Sequence, residues 1–177
     1  MYRNPILDEI KARRSIRKFK PDMPEQGNLE KIMEAGIYAA NGYGQQSSMV
    51  VAVTNRELRD RLSDLNRRLR DRPDGYDPFY GAPVVLLVLS DSSSRFKVED
   101  GSLTAGNMML AAHSLGLGSC WIHRADEVFA SEDGKAILRE IGIDGEWEGI
   151  AQCLIGYVDG SEPEAAPRKP GRMRWSD

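Results

Sequence analysis

Two arginines and a serine alternate at the end of the first predicted helix. The segment reads Arg13-Arg14-Ser15-Ile16-Arg17, and an extended backbone there would place Arg13, Ser15 and Arg17 on one side. Two guanidinium groups and a hydroxyl on one side form a receptor for a dianionic phosphate. The alternative interpretation is a solvated basic helix end that the helix dipole stabilises.

A second segment, Ala40–Ser48, combines glycines with amide side chains directly before a predicted strand. Gly42 and Gly44 let a backbone approach a flat ligand closely, and the amides of Asn41 and Gln46 can read an imide edge. The alternative is an ordinary helix-to-strand loop built from turn residues.

A third segment, Asn107–Trp121, is rich in small and apolar residues and continues into Ile122-His123-Arg124. Small residues suit tight helix packing, and Gly116 suits a left-handed helix end. By itself this segment is typical of core structure. Its end at His123 and Arg124 leaves a predicted strand, where backbone amides can be aimed at a ligand.

Other chemistries find little support in the sequence. Cys120 and His123 have metal-ligand spacing, but the chain holds only two histidines and two cysteines, so we expect no metal site. Gly42-Tyr43-Gly44 lacks the third glycine of a dinucleotide fingerprint and leads into a strand. His113 lies inside an apolar helix and is expected to be partnered rather than catalytic.

A run of arginines between residues 56 and 72 raises the question of nucleic-acid binding. Acids are interleaved with these arginines at helical spacing, which indicates a solvated face of ion pairs, so no nucleic-acid partner is expected. Four aromatic residues remain candidates for lining a substrate cleft, although the three in the loop of residues 70–82 fit a plain surface excursion equally well. They are Tyr43, Tyr76, Phe79 and Tyr80.

The elements that must position these residues can be predicted from hydrophobic periodicity and caps. We expect helices over about 5–14, 29–40, 56–69, 101–115 and 132–141, and strands over 49–53, 84–89, 119–122 and 149–158. Strands and helices alternate, and the strands are apolar almost throughout. The pattern therefore predicts one domain over residues 1–177, a three-layer α/β sandwich with residues 159–177 as a C-terminal tail.

Composition sets the remaining bounds. The 177 residues carry a net charge of −3, with 41% apolar and 29% charged residues, as is ordinary for a globular protein. Two cysteines in apolar runs indicate reduced thiols. The longest apolar run, Val84–Leu89, is far short of a membrane span, so we expect no membrane partner and a cytoplasmic location.

Four stretches, taken in order, resemble the flavin nitroreductase family along nearly the whole chain. Arg13–Arg17 is similar to the family's opening Arg-x-Ser-x-(Arg/Lys), and Gly44–Ser48 to its helix-to-strand loop. Asn107–Trp121 resembles its Asn-x-x-Leu-Ala-Ala…Gly-Leu-Gly-Ser-x-Trp pattern. Ile155–Tyr157 and Pro167–Pro170 are similar to the family's ending.

The resemblance implies an α+β, nitroreductase-like fold with a central mixed sheet flanked by helices. It implies FMN, with the phosphate on Arg13, Ser15, Arg17 and Arg168, the ring against the 41–46 loop, and N5 near the backbone of residues 123–124. No catalytic side chain is expected, because flavin N5 is the reacting atom. The cofactor-binding residues that it implies are Arg13, Arg14, Ser15, Arg17, Asn41, Gly42, Gly44, Gln46, His123, Arg124 and Arg168.

The resemblance also implies a homodimer whose two subunits both contribute to the flavin site. NADH or NADPH would donate electrons in a ping-pong cycle to a small organic acceptor such as a nitroaromatic, a quinone or an activated alkene.

The loop departs from the family pattern, because Gly44 stands where the family usually has Asn, and Ser47-Ser48 replace Pro-Trp. These differences motivate a rival hypothesis, a non-catalytic flavin-binding reservoir or sensor. A scaffold that has lost FMN is a third hypothesis. The retained phosphate-binding arginines argue against it, since they have no other evident role.

Overall fold

The computed structural model of the protein describes residues 4–176. It contains six α-helices, four strands and one short 3-10 turn over Gly42–Gly44 in this range. The helices are α1 (Pro5–Ala12), α2 (Gln26–Ile37), α3 (Arg56–Arg68), α4 (Lys97–Ser114), α5 (Ala125–Ala130) and α6 (Glu132–Glu140). The strands are β1 (Ser48–Val53), β2 (Val84–Asp91), β3 (Gly118–Ile122) and β4 (Trp147–Gly156).

The four strands form one sheet in the order β1-β2-β4-β3, and each neighbouring pair runs antiparallel. The expected mixed sheet is therefore antiparallel across its four strands. A parallel component is present as the isolated bridge between Ser15 and Ser119, where the chain after α1 runs beside β3. The expected class of fold, helices flanking a central sheet, is confirmed.

The central strand β2 separates two hydrophobic cores. Val85, Leu87 and Leu89 pack in the core under α3, α5 and α6, whereas alternate residues such as Val84 and Leu86 pack against α2 and α4. Because side chains alternate across a strand, a continuous apolar run buries residues on both faces. The result is the expected three-layer arrangement.

Caps fix several helix starts as the sequence predicts. The Asn4 side chain accepts hydrogen bonds from Ile6 and Leu7 N–H at the start of α1, and Asn55 caps α3 by accepting from Leu58 N–H. Such caps satisfy N–H groups that lack partners in the first helical turn.

Three helices differ clearly from the sequence prediction. Helix α2 spans Gln26–Ile37, three residues earlier at each end than the expected 29–40. Helix α4 begins at Lys97, four residues before the expected start near Gly101, and hydrophobic periodicity does not predict α5. Helix α5 is only six residues long, too short for an apolar period to stand out. Over residues 4–176, every helix is too short or too polar to cross a bilayer.

Candidate functional site

The predicted phosphate-binding segment is fastened to the edge of the sheet. Ile16 N–H donates to the Ser119 carbonyl oxygen at 2.9 Å, and Phe19 forms an antiparallel bridge with Val158. Ile16 and Phe19 are buried in the core beside α3. Arg17 and Lys18, which lie between these two apolar anchors, are exposed.

Three of the predicted phosphate ligands influence one buried group, the Cys120 thiol of β3. Burial raises the pKa of Cys120, and this rise is opposed by the positive charges of Arg17 and Arg13 and by a hydrogen bond from the Ser15 side chain. Arg13, Ser15 and Arg17 therefore lie on the side of the chain that is within electrostatic reach of Cys120. Two guanidinium groups and a hydroxyl on one side of a segment are consistent with the predicted anion receptor.

We call residues 13–17 the cradle. Two guanidinium nitrogens of the cradle lack a hydrogen-bond partner among residues 4–176. Arg13 Nη1 and Arg14 Nε are buried, and within the described part of the chain neither makes a hydrogen bond. The Nη1 of Arg14 is occupied, since it donates to the carbonyl oxygens of Lys11 at 2.7 Å and Arg13 at 2.8 Å. A buried charged donor without an acceptor is costly. The cradle therefore fits an anionic group such as the phosphate of FMN.

The predicted ring-binding loop has an unusual backbone. Tyr43, Gly44 and Gln46 have positive φ values of 53°, 69° and 51°. Residues other than glycine rarely adopt such backbone conformations. The Asn41 side chain supports this loop from inside, accepting Gln46 N–H at 2.9 Å and donating to the Ala39 carbonyl at 3.4 Å. The Asn41 amide is thus engaged within the loop, whereas the Gln46 side chain is exposed.

The loop docks on the first turn of α4 through a residue that sequence reasoning missed. Asp100 is buried, and its carboxylate accepts Gly42 N–H at 2.9 Å and the Ser47 hydroxyl at 2.8 Å. The Tyr43 ring packs edge-on against Phe96, with centroids 5.5 Å apart. The only sequence signal was a pair of acids, Glu99-Asp100, near a helix start, which the helix dipole alone explains.

His123 and Arg124, the other residues predicted to contact the flavin ring, lie at the end of β3. His123 is exposed, and Arg124 adopts a left-handed conformation with φ 75° where α5 begins. The Arg124 guanidinium is paired with Glu127, and the Arg124 carbonyl oxygen accepts Val128 N–H at 2.9 Å. A cavity of about 170 Å³ beside this turn is lined in part by Trp121, His123 and Asp126.

Arg168 lies in the exposed irregular segment after β4. The same segment is held nearer its start, where Glu162 Oε2 lies 3.6 Å from His113 Nε2. His113 Nδ1 also contacts a carboxylate oxygen of Glu9, so this histidine is partnered, as expected.

The four aromatic candidates separate in the structure. Tyr43 is exposed and Tyr76 and Tyr80 are half-buried. Phe79 is fully buried and lies under the Arg59 guanidinium, whose carbon is 5.3 Å from the centroid of the phenyl ring. Phe79 therefore belongs to the core and does not line a cleft, because the turn that carries it folds back onto α3.

The arginine-rich helix α3 presents mostly solvated ion pairs, as the interleaved acids indicated. Examples are Arg56 with Asp60, Arg61 with Glu140 and Arg68 with Asp133. Arg59 is the exception, since it is 3% exposed and pairs with Asp77. Within the described part of the chain, no group of three or more His, Cys, Asp or Glu side chains is placed to hold a metal ion.

Comparison with known proteins agrees with this geometry. The model of the family described as "Nitroreductase family" matches residues 10–157 of the chain. The matched region runs from α1 to the end of β4 and includes the cradle, the loop and the end of β3. The chain belongs to the nitroreductase family, and thus to a family of oxidoreductases.

Relatives of this chain carry names that agree with the family. A protein of Methanothermobacter thermautotrophicus, provisionally named NADH dehydrogenase/NAD(P)H nitroreductase, is 35% identical over 121 residues, which cover 66% of this chain and 59% of that protein. The match thus spans less than two thirds of that relative. The NADPH-flavin oxidoreductase of Vibrio harveyi is 25% identical over 96% of this chain and 72% of its own length.

Solved structures share the fold over almost the whole chain. A nitroreductase with bound FMN from Bacteroides fragilis superposes with a TM-score of 0.89 at 27% identity, covering 99% of this chain and 100% of the other. A nitroreductase with bound FMN from Desulfitobacterium hafniense gives a TM-score of 0.87 at 25% identity, with the same two coverages. The fold that the sequence motifs implied is confirmed.

Proposed function

We propose that this protein is an FMN-dependent oxidoreductase that passes electrons from NADH or NADPH to a small organic acceptor. The observation that carries the proposal is the cradle beside β3, where Arg13, Ser15 and Arg17 are within electrostatic reach of Cys120 and a buried Arg13 nitrogen has no hydrogen-bond partner within residues 4–176. It is supported by the FMN bound to the Bacteroides fragilis relative.

The residues of the cradle differ in what each would contribute to phosphate binding. Arg13 and Arg17 supply charge, and the Ser15 hydroxyl supplies a neutral donor beside them. The free Nε of Arg14 adds a donor whose guanidinium is already held by backbone carbonyls. A planar fork held in place loses little freedom on binding an oxyanion. We assign Arg168 to the same phosphate, reached from the C-terminal segment.

The ring of FMN is assigned to the loop of residues 41–46 and to the backbone at His123 and Arg124. When bound, FMN would supply the electron-accepting N5 that no side chain of this protein can replace. The chain's own contribution is positioning: the left-handed turn at Arg124 and the positive-φ residues of the loop set the course of the backbone on which the ring would rest.

We infer that the protein acts as a homodimer. Helices α1 and α2 both pack on α4, and the three helices with their ends carry large apolar side chains that are half or more exposed. These side chains are Ile6, Leu7, Ile10, Ile37, Tyr38, Val98 and Leu103. An exposed apolar surface shared by adjacent helices is typical of a subunit interface. A second copy would cover it and bring a second set of loops to the flavin.

The acceptor is assigned by class as a nitroaromatic, a quinone or an activated alkene. We propose that the electron donor and the acceptor use the same site one after the other, in a ping-pong cycle. In support of this, Tyr43 and Gln46 are exposed, so the ring-binding loop is accessible. We place the activity in the cytoplasm, in keeping with two free buried cysteines.

One experiment separates this function from its rival. The purified protein is incubated with FMN, desalted and examined by absorbance, then titrated anaerobically with NADH and with NADPH. Retained flavin that is bleached by one nucleotide supports the oxidoreductase. Retained flavin that neither nucleotide bleaches supports the reservoir or sensor, and a protein that retains no flavin contradicts both.

A further inference from the structure

The hydrogen bonds of Asp100 tie both ends of the segment 42–47 to the first turn of α4. Asp100 is 3% exposed, its Oδ1 accepts Gly42 N–H and its Oδ2 accepts the Ser47 hydroxyl. Each carboxylate oxygen thus holds a different end of the segment. A buried carboxylate is tolerated when its oxygens are satisfied, so this acid and the loop depend on one another.

The segment between these two anchors needs support to keep its shape. Tyr43 and Gln46 have positive φ although neither is glycine, and such conformations persist only where the surroundings impose them. The Phe96 ring closes one side, because a Cβ added at Gly42 would lie 2.3 Å from its Cδ2. Asp91 N–H also donates to the Ser47 carbonyl at 2.9 Å.

We propose that Asp100 is a positioning residue for the flavin ring. Its carboxylate fixes the backbone of residues 42–47 in the conformation that receives the cofactor, and it acts through Gly42 and Ser47 without contacting the ring. This inference rests on the proposed FMN function. It also explains how a loop that has Ser47 in place of the family's usual proline keeps a defined shape: the serine hydroxyl supplies a hydrogen bond to the acid.

The test compares Asp100→Ala, Asp100→Asn and Ser47→Ala with the wild-type protein. The readouts are the FMN dissociation constant from flavin fluorescence, the visible absorbance and circular dichroism of bound FMN, and the thermal unfolding of the FMN-free protein. Asp100→Ala removes both anchors, and we expect its FMN dissociation constant to rise about tenfold or more, with a shifted flavin band.

Asp100→Asn separates geometry from charge. Its amide oxygen can accept Gly42 N–H, and its amide nitrogen can donate to the Ser47 oxygen. We therefore expect a dissociation constant within about threefold of wild type, the scale of less than one hydrogen bond. Ser47→Ala removes one anchor and should fall between wild type and Asp100→Ala. It also keeps the inference testable if Asp100→Ala does not fold.

The matched control removes a buried polar contact on the other face of the sheet. Asn66 and Gln152 exchange two hydrogen bonds of 2.9 and 3.0 Å in the layer under α3. Asn66→Ala should lower the unfolding temperature and leave the flavin spectrum and affinity unchanged, since it disturbs no part of the loop.

Several outcomes would overturn the inference while leaving the proposed function intact. One is a wild-type protein that binds FMN and an Asp100→Ala variant with the same affinity and flavin spectrum. Another is an equal loss in Asp100→Asn and Asp100→Ala, and a third is an equal spectral shift in Asn66→Ala. A wild-type protein that binds no FMN would instead overturn the proposed function, and this inference with it.

Discussion

The Arg59 guanidinium and the Asp77 carboxylate form an ion pair beneath the loop that joins α3 to β2. Arg59 also donates from Nε to the Ala82 carbonyl at 3.0 Å, and Asp77 accepts backbone N–H groups from Phe79 and Gly81. A single buried pair thus fixes the turn that leads into the central strand. The arginine is almost inaccessible, so the cost of burying its charge is offset by Asp77 together with Asp60.

Replacing Asp77 with Asn should destabilise the protein by about 2–3 kcal/mol, because a buried guanidinium then loses its ionised partner. The loss stays modest because the Asp77 side chain is 33% exposed and Arg59 retains a contact with Asp60. The free energy of unfolding from urea denaturation at pH 7 measures the effect. Arg56→Ala, which breaks a solvated pair, should cost no more than about 1 kcal/mol.

The same pair predicts how stability depends on pH. Burial raises the pKa of Asp77, but the hydrogen bonds from Arg59, Ser63, Gly81 and Phe79 outweigh it, and the pKa lies below its usual range. A carboxyl whose pKa is depressed by folding stabilises the protein above about pH 4 and loses this contribution as pH falls through the folded value. The stability difference between wild type and Asp77→Asn should therefore shrink below about pH 4. A constant difference down to pH 2 would contradict the assignment.

Features set by nearby residues could be predicted from the sequence. The apolar run of β2 predicts a strand with both faces covered, and its residues are indeed buried on both faces. The spacing of Arg13, Ser15 and Arg17 predicts a shared side, and all three influence the Cys120 thiol. These features follow from the two-residue period of extended chain.

Features set by distant contacts could not be predicted. Glu99 and Asp100 are adjacent acids in one helical turn, yet only Asp100 is buried, because its partner Gly42 lies 58 residues away. Likewise Arg59 resembles its solvated neighbours in sequence but meets Asp77 in the folded chain. The antiparallel pairing of the strands depends on how they assemble, which hydrophobic periodicity does not encode.

Gly42 is a position where a single added methyl group should disturb the flavin loop. In Gly42→Ala the new Cβ would lie 2.3 and 2.6 Å from two Phe96 ring atoms, so the loop or the ring must move, at a cost of about 1–3 kcal/mol. We expect a lower unfolding temperature and weaker FMN binding, measured by thermal denaturation and fluorescence titration.

Gly27→Ala is the matched control for this substitution. Gly27 lies in α2, and the methyl group of an alanine there would meet no atom within 4 Å. Alanine is also the better helix former by up to about 0.5–1 kcal/mol. This variant should be as stable as wild type or slightly more so, with unchanged FMN affinity. Equal behaviour of the two alanine variants would show that the Phe96 contact does not constrain the loop.

The two cysteines should resist thiol reagents in the folded protein. Burial, with a smaller effect of Cys120, raises the pKa of Cys153 to about 12, and burial also raises that of Cys120 despite the nearby arginine charges. The thiolate is the reactive form, so at pH 8 neither residue should react until the protein unfolds. A disulfide-exchange assay with and without denaturant measures this, and rapid labelling of native protein would contradict it.

Arg17→Ala should weaken FMN binding by about 1.5–3 kcal/mol, the scale of a charge-assisted hydrogen bond. Arg17 is assigned to the phosphate, so the loss should be specific to that group. Fluorescence titrations with FMN and with riboflavin, which lacks the phosphate, test this at one fixed salt concentration. The variant should lose affinity for FMN and bind riboflavin as wild type does, while Arg56→Ala, in a solvated pair on α3, should change neither affinity. Unchanged FMN affinity in Arg17→Ala, or an equal loss for both ligands, would show that Arg17 does not bind the phosphate.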